Sequence, residues 1–239
     1  MLVIGASSDV GNAYAEKYES NYDFIIAHYH SLADKLLGLK NRIGDKLKLY
    51  QADFLDEIST REFIDKIREG NCIPTHVLHL TAPKVVNNKF HKIPWDSYQK
   101  GFDIQFRPIV ALLKEFLPSM AKNKYGKVVF VLRFYTLNAP PKYLTYYIVL
   151  KDAVLGFMKS LAVEYADKIL NINTVSPSMI ETKFLENIPD LMVQQNAVNR
   201  PLKRNANVED IIPTINFLLS GRSAFITGQN LVVAGGTVI

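Results

Sequence analysis

The sequence predicts a single α/β domain: a doubly wound parallel sheet of about seven strands with helices on both faces. Three observations lead there. Short apolar, β-rich runs alternate with longer helical patterns along all 239 residues. The short runs are continuously apolar, which implies burial on both faces and parallel pairing. The chain also opens Leu2-Val3-Ile4-Gly5-Ala6-Ser7-Ser8-Asp9-Val10-Gly11, a strand that breaks at a glycine and re-enters as a helix.

Each element has its own signal. Residues 2–4 are apolar and stop at Gly5, so they read as a strand, and 10–18 resume at helical spacing. Residues 24–27 form the second apolar run. In 32–43, Leu32, Leu36, Leu39 and Ile43 recur as a helix packed on a sheet requires. A third strand is expected over 46–50 and a third helix over 59–69. Residues 77–80 read as the fourth strand, and 97–120 as one long helix. Residues 127–132 form a fifth apolar run, followed by a long helix over 144–166. Strands over 172–175 and 230–233 flank a final helix at 208–219. No repeat, low-complexity segment or linker divides the pattern, so residues 1–239 form one domain. In open sheets of this kind the ligand lies at the carboxyl ends of the strands.

Composition narrows the function. Hydrophobic residues make up 48% of the chain, enough for a sizeable core and too many for a disordered protein. The net charge of +5 comes from 28 basic and 23 acidic residues. No basic stripe interleaves with stacking aromatics, so no nucleic-acid partner is expected. A single cysteine, Cys72, excludes a disulfide framework and fits a reducing, cytoplasmic setting. No leader and no membrane-spanning run are expected.

Two groups of residues carry chemistry. The first turn points the N-terminus of a helix at whatever occupies it, and free N–H groups with the helix dipole attract phosphate. Asp9 is a candidate N-cap there; facing a phosphate instead, it would repel. Farther along, Tyr147 and Lys151 are four residues apart in a helix and share a face. A phenol with a pKa near ~10 exchanges protons poorly at neutral pH. A neighbouring ammonium favours phenolate and makes proton exchange with an alkoxide or alcohol accessible. His28 and His30 read as surface or edge residues, and His76 and His79 as a strand pair with one buried. No third ligand has metal-site spacing, so no metal is expected.

These motifs resemble the short-chain dehydrogenase/reductase family over essentially the whole chain. Gly5 and Gly11 match the outer glycines of its T-G-x-x-x-G-x-G turn, with Ile4 and Asp9 replacing the threonine and the middle glycine. Residues 147–166 look like its catalytic helix. Asn171-Ile-Asn-Thr-Val-Ser-Pro177-Ser178-Met-Ile180-Glu-Thr182 is similar to N-x-V-x-P-G-x-I-x-T, and residues 225–236 resemble the closing strand of its 3-oxoacyl-carrier-protein reductase branch, with Ala234 in place of an aspartate.

The resemblance implies a Rossmann-type fold and a pyridine dinucleotide bound by Gly5, Ser7, Ser8, Val10 and Gly11. Asp53 and Phe54 would flank its adenine, and Ala82 would lie under it in Leu80-Thr81-Ala82-Pro83, where the family has N-N-A-G. Tyr147 would be the proton donor and Lys151 would hold the ribose. Pro177, Ile180 and Thr182 would meet the nicotinamide. The second strand ends His28-Tyr29-His30-Ser31 without the acidic residue an NAD enzyme uses. His30 and Ser31 are left to meet a 2′-phosphate, so NADP(H) is expected over NAD(H). The segment about 181–207 would be a substrate lid with Phe184, Leu185, Ile188 and Leu191 as an apolar wall.

Departures from the family bear on catalysis. Its substrate-binding serine falls on Phe134, and a shorter loop would bring Thr136 into that place. Its relay asparagine falls on Gln105. Two functions stay open: reduction of a ketone such as a β-ketoacyl thioester, small or carrier-bound, or an impaired homologue serving as accessory subunit of a hetero-oligomeric reductase. Both imply self-association, as a homodimer or homotetramer, through the helices expected at 97–120 and 144–166.

Overall fold

A computed structural model describes residues 1–31, 34–70, 72–137, 139–186 and 188–237. Its sheet orders seven strands β3-β2-β1-β4-β5-β6-β7, every neighbouring pair parallel. They are β1 (Leu2–Ile4), β2 (Ile25–Tyr29), β3 (Leu47–Gln51), β4 (His76–His79), β5 (Gly126–Val131), β6 (Leu170–Pro177) and β7 (Asn230–Val233). Every boundary falls within two residues of the sequence expectation. The apolar runs are strands because both of their faces are covered; β1 and β6 have no residue outside the buried class.

One face packs on α3 (Glu57–Glu69), α5 (Arg107–Lys122) and α6 (Thr145–Glu164), through side chains such as Phe63, Leu113, Phe116 and Met158. The other packs on α1 (Asp9–Tyr18), α2 (Asp34–Ile43) and α8 (Val208–Leu219), through Tyr14, Leu36, Ile212 and Ile215. Leu32, expected to begin the second helix, lies outside the described residues. Two cores on two faces make the sheet doubly wound, as expected.

Two expectations need correction. The single helix expected over 97–120 is two, α4 (Trp95–Gln105) and α5, interrupted at Phe106. Pro108 has no N–H to give the Ile104 carbonyl, and its ring crowds that carbonyl, so the ladder breaks there and restarts with Pro108 in its first turn. The lid segment also contains a helix, α7 (Asp190–Val198), that periodicity did not reveal. It has no buried residue, so no apolar face marks it in the sequence.

The chain runs outward from β1 to β3, crosses back to β4 and proceeds to β7. The order therefore reverses between β1 and β4, and a crevice opens beyond their carboxyl ends.

Candidate active site

A cleft of about 560 Å³ lies at that switch point. Its floor comes from the first turn and from the ends of β4, β5 and β6. Tyr147 and Lys151 of α6 form one wall, and residues 182–186 close the other side.

The first turn is shaped by its glycines. Gly5 has φ +84°, and a Cβ there would lie 3.2 Å from the Thr81 backbone nitrogen. A Cβ on Gly11 would lie 2.7 Å from the Gly5 carbonyl oxygen, so α1 approaches β1 only as glycine. Ser8, not Asp9, is the N-cap: its hydroxyl accepts from Gly11 N (3.1 Å) and donates to Gly5 O (2.7 Å). Asp9 is the first helical residue, and its carboxylate accepts from Lys183 N (2.9 Å) and from Lys35 Nζ (3.3 Å). Asp9 thus ties the segment after β6 to the mouth of the turn.

His28 braces this turn from behind and is buried, not at an edge. Gly5 N donates to its Nδ1 (3.1 Å), so Nε2 carries the proton and donates to Ala52 O (3.1 Å). Burial holds its pKa down to about 4. Phe54 stacks on the His28 ring at 4.0 Å and belongs to the core. The expectation that Phe54 flanks the adenine is therefore corrected: its ring is spent on His28. Asp53 does not line the cleft either. Its carboxylate accepts from Leu55 N (2.9 Å) and lies 3.8 Å from His30 Nε2. His30 sits on the exposed rim and contacts the Ser31 hydroxyl (3.3 Å), and of these three only Ser31 lines the cleft.

The α6 wall brings Tyr147 and Lys151 together, both buried. Lys151 Nζ donates to the Val131 carbonyl (3.2 Å) and lies 5.6 Å from the Tyr147 ring centroid. Burial, and then the charge of Arg133, push its pKa down to about 7. Burial raises the Tyr147 phenol, and the charge and hydrogen bond of Arg133 pull it back. Arg133 is thus a second cation near the phenol, besides Lys151. Pattern reading passed Arg133 over. Its signal was a charge directly after the apolar run of β5, at the carboxyl end of a parallel strand.

The expected substitute for the family serine is not in place. Phe134 is buried. The Thr136 hydroxyl donates to Arg133 O (2.9 Å) and accepts from Asn230 Nδ2 (3.3 Å), which spends it on the loop itself. Gln105 is fully buried at the end of α4, away from the cleft lining, and neither amide atom has a protein partner among the described residues. His79 is buried beside the Gln105 backbone.

After β6 the cleft is lined by Pro177, Ser178, Ile180 and Thr182. Ser178 N donates to Val233 O (2.9 Å), and Ile180 pairs with Ala206, which pins both ends of the lid. Of the expected apolar wall, Phe184 and Leu185 reach the cleft, whereas Leu191 is exposed on α7. Ser7, Ser8, Val10 and Ala82 line it. Lys84, in the loop after β4, also lines it and was not expected.

A family model described as enoyl-(acyl carrier protein) reductase matches residues 5–238. The 3-oxoacyl-(acyl-carrier-protein) reductase FabG of Haemophilus influenzae is 27% identical over 235 residues, covering 98% of this chain and 96% of that one. Among solved structures, a 3-oxoacyl-(acyl-carrier-protein) reductase with bound NAD from Brucella melitensis shares the fold with a TM-score of 0.85. It is 21% identical and covers 98% of this chain and 89% of that one. ElxO with NADP bound has a TM-score of 0.85 at 24% identity, covering 98% and 96%.

Proposed function

The chain belongs to the short-chain dehydrogenase/reductase family of oxidoreductases, and from that premise we propose that it reduces a ketone with NADPH, Tyr147 delivering the proton. The observation that carries the reading is the pair Tyr147 and Lys151, buried side by side on α6 in the wall of a cleft that opens on a glycine turn.

The turn fits a dinucleotide: a side chain at Gly5 or Gly11 would crowd the backbone, and Ser8, Asp9 and Val10 at the start of α1 line the cleft. Gly5, Ser7, Ser8, Val10 and Gly11 would hold the pyrophosphate, Ala82 would lie beneath the adenosine half, and Pro177, Ile180 and Thr182 would meet the nicotinamide. Ser31 and His30, with no carboxylate at the end of β2, support a 2′-phosphate and hence NADP(H) over NAD(H). Related structures hold NADP in one case and NAD in another. When bound, the nicotinamide supplies a hydride to the carbonyl carbon. Tyr147 gives its hydroxyl proton to the carbonyl oxygen, and Lys151 holds the ribose and steadies the resulting phenolate. Gln105, whose amide has no protein partner among the described residues, would relay solvent protons back to the site.

A β-ketoacyl thioester, carrier-bound or small, is the substrate class supported by the names of the relatives. The reading extends to a cytoplasmic protein with no nucleic-acid or membrane partner; no helix among the described residues is long and apolar enough to cross a membrane. Self-association fits α6, whose outer face carries Val149, Gly156 and Val163 at seven-residue spacing, with nothing within 4 Å of a Cβ placed on Gly156.

One observation favours a second reading, an accessory subunit of a hetero-oligomeric reductase: neither Phe134 nor Thr136 offers the cleft a free hydroxyl. The test is NADPH oxidation by the purified protein with acetoacetyl-coenzyme A, beside Tyr147→Phe. The enzyme reading expects wild-type turnover and a loss of at least about 100-fold in the variant. Equal inertness of both, with activity only on adding a partner chain, would replace it with the accessory reading.

A further inference from the structure

We propose that Arg133 is a catalytic residue: its guanidinium donates to the substrate carbonyl oxygen beside Tyr147 and stabilises the charge that develops there. The proposal rests on the ketone-reductase reading and adds the polarising group that reading lacks.

Hydride arrival at a carbonyl carbon drives negative charge onto the oxygen, and a preorganised donor aimed at that oxygen is a large source of rate. The hydroxyl of Thr136 is committed at both ends to Arg133 O and Asn230, and Phe134 has none to offer. The group at the reacting position is Arg133 itself. It lies two residues beyond the end of β5, lines the same cleft as Tyr147, and is close enough for its charge to favour the phenolate.

Its place is built rather than incidental. The Arg133 Cζ lies 5.3 Å from the Tyr135 ring centroid. Tyr135 packs on Phe134 with centroids 4.1 Å apart, and the Arg200 Cζ covers Phe134 at 5.1 Å. Two cations thus bracket two aromatic rings and hold Arg133 in position. Phe134, in the position of a lost hydroxyl, is one plate of that stack.

A guanidinium has five donors in a rigid fork and stays charged at any working pH. Arg133 and Tyr147 line one cleft. The Arg133 Nε is buried with no protein partner among the described residues. A carbonyl oxygen close enough to take the Tyr147 proton therefore lies within the fork's reach.

The step balances. The carbonyl π bond breaks as its carbon gains the hydride that the nicotinamide gives up on oxidation. The oxygen takes the Tyr147 proton, the alcohol leaves, and the phenolate facing Arg133 regains a proton from solvent. The same contact has a second consequence. Arg133 favours phenolate, so its removal moves Tyr147 titration to higher pH.

The experiment compares wild type with Arg133→Ala, Arg133→Met and Arg133→Lys, using NADPH and acetoacetyl-coenzyme A. Arg133→Ala and Arg133→Met are expected to lose about 100-fold in kcat, the cost of one oxyanion donor, with NADPH affinity unchanged. Arg133→Lys retains an intermediate rate. Guanidinium at non-denaturing concentration restores part of the Arg133→Ala activity and none of that of Tyr147→Phe. Ultraviolet titration supplies a readout independent of turnover: each protein minus its Tyr147→Phe form gives this phenol alone, and it should titrate at higher pH without Arg133. An active wild type whose rate and phenol titration ignore all three substitutions overturns the role of Arg133 and leaves the ketone-reductase reading standing. A wild type that binds no pyridine coenzyme and reduces no ketone overturns both.

Discussion

At the scale of single residues, the site is decided by which partner each polar group already has. Asp9 was expected to cap α1 or to repel a phosphate. Ser8 takes the cap, and Asp9 ties Lys183 N of the lid to the first turn. Its carboxylate therefore stands where the pyrophosphate of a coenzyme would approach. Asp9→Asn keeps the shape and removes the charge, so NADPH should bind about fivefold more tightly, equivalent to ~1 kcal/mol. A fluorescence titration showing unchanged or weaker binding would mean that the tie, and not the charge, is what Asp9 contributes. Lys151 gives a pH dependence. Burial and Arg133 hold it at about 7, so in the free protein its ammonium is present below that pH and lost above it. Coenzyme affinity should therefore fall as pH rises from 6 to 8, more steeply than in Lys151→Arg.

Among elements, the strands carry unusual cargo. His28 on β2 and His76 and His79 on β4 are held neutral by burial, at about 4, about 4 and about 3. An unfolded histidine titrates near ~6.5, so the unfolded chain takes up protons between pH 6.5 and 4 that the fold refuses. Stability should fall as pH drops through that window, by up to about 1.4 kcal/mol per pH unit for each histidine. Urea midpoints at pH 7 and 5 measure it, and His79→Val should flatten part of the slope. Midpoints that do not move would mean the folded strands accept the protons. The break between α4 and α5 and the hidden α7 show the limits of periodicity. A proline overrides an apolar pattern that runs through it, and a surface helix without a buried face leaves no pattern to read.

For the whole molecule, helices that cover both faces of the sheet still leave apolar surface on α6, with Val163 81% exposed. If α6 pairs with a second copy, wild type should show at least a dimer's mass by light scattering, and Val163→Asp should shift it toward the monomer. A monomeric wild type at all concentrations would end the proposal of self-association. The fold was legible almost throughout because alternating apolar runs and helical stripes are local records of burial. Half of the site was legible for a similar reason: Gly5 and Gly11, and Tyr147 and Lys151, are close in sequence and constrained by local geometry. Phe54, Thr136 and Arg133 were not legible, since each is set by what packs beside it.

Residue order alone is enough to specify the seven parallel strands, the glycine turn and the shared face of Tyr147 and Lys151, because backbone sterics and side-chain period act over a few neighbouring residues. Folding in three dimensions is what stacks Phe54 on His28, commits the Thr136 hydroxyl to its own loop, and brings Arg133 into the cleft of Tyr147. Those outcomes depend on competition among groups brought together from distant strands, and neither a hydrogen bond already made nor a charge already buried is written in the order of residues.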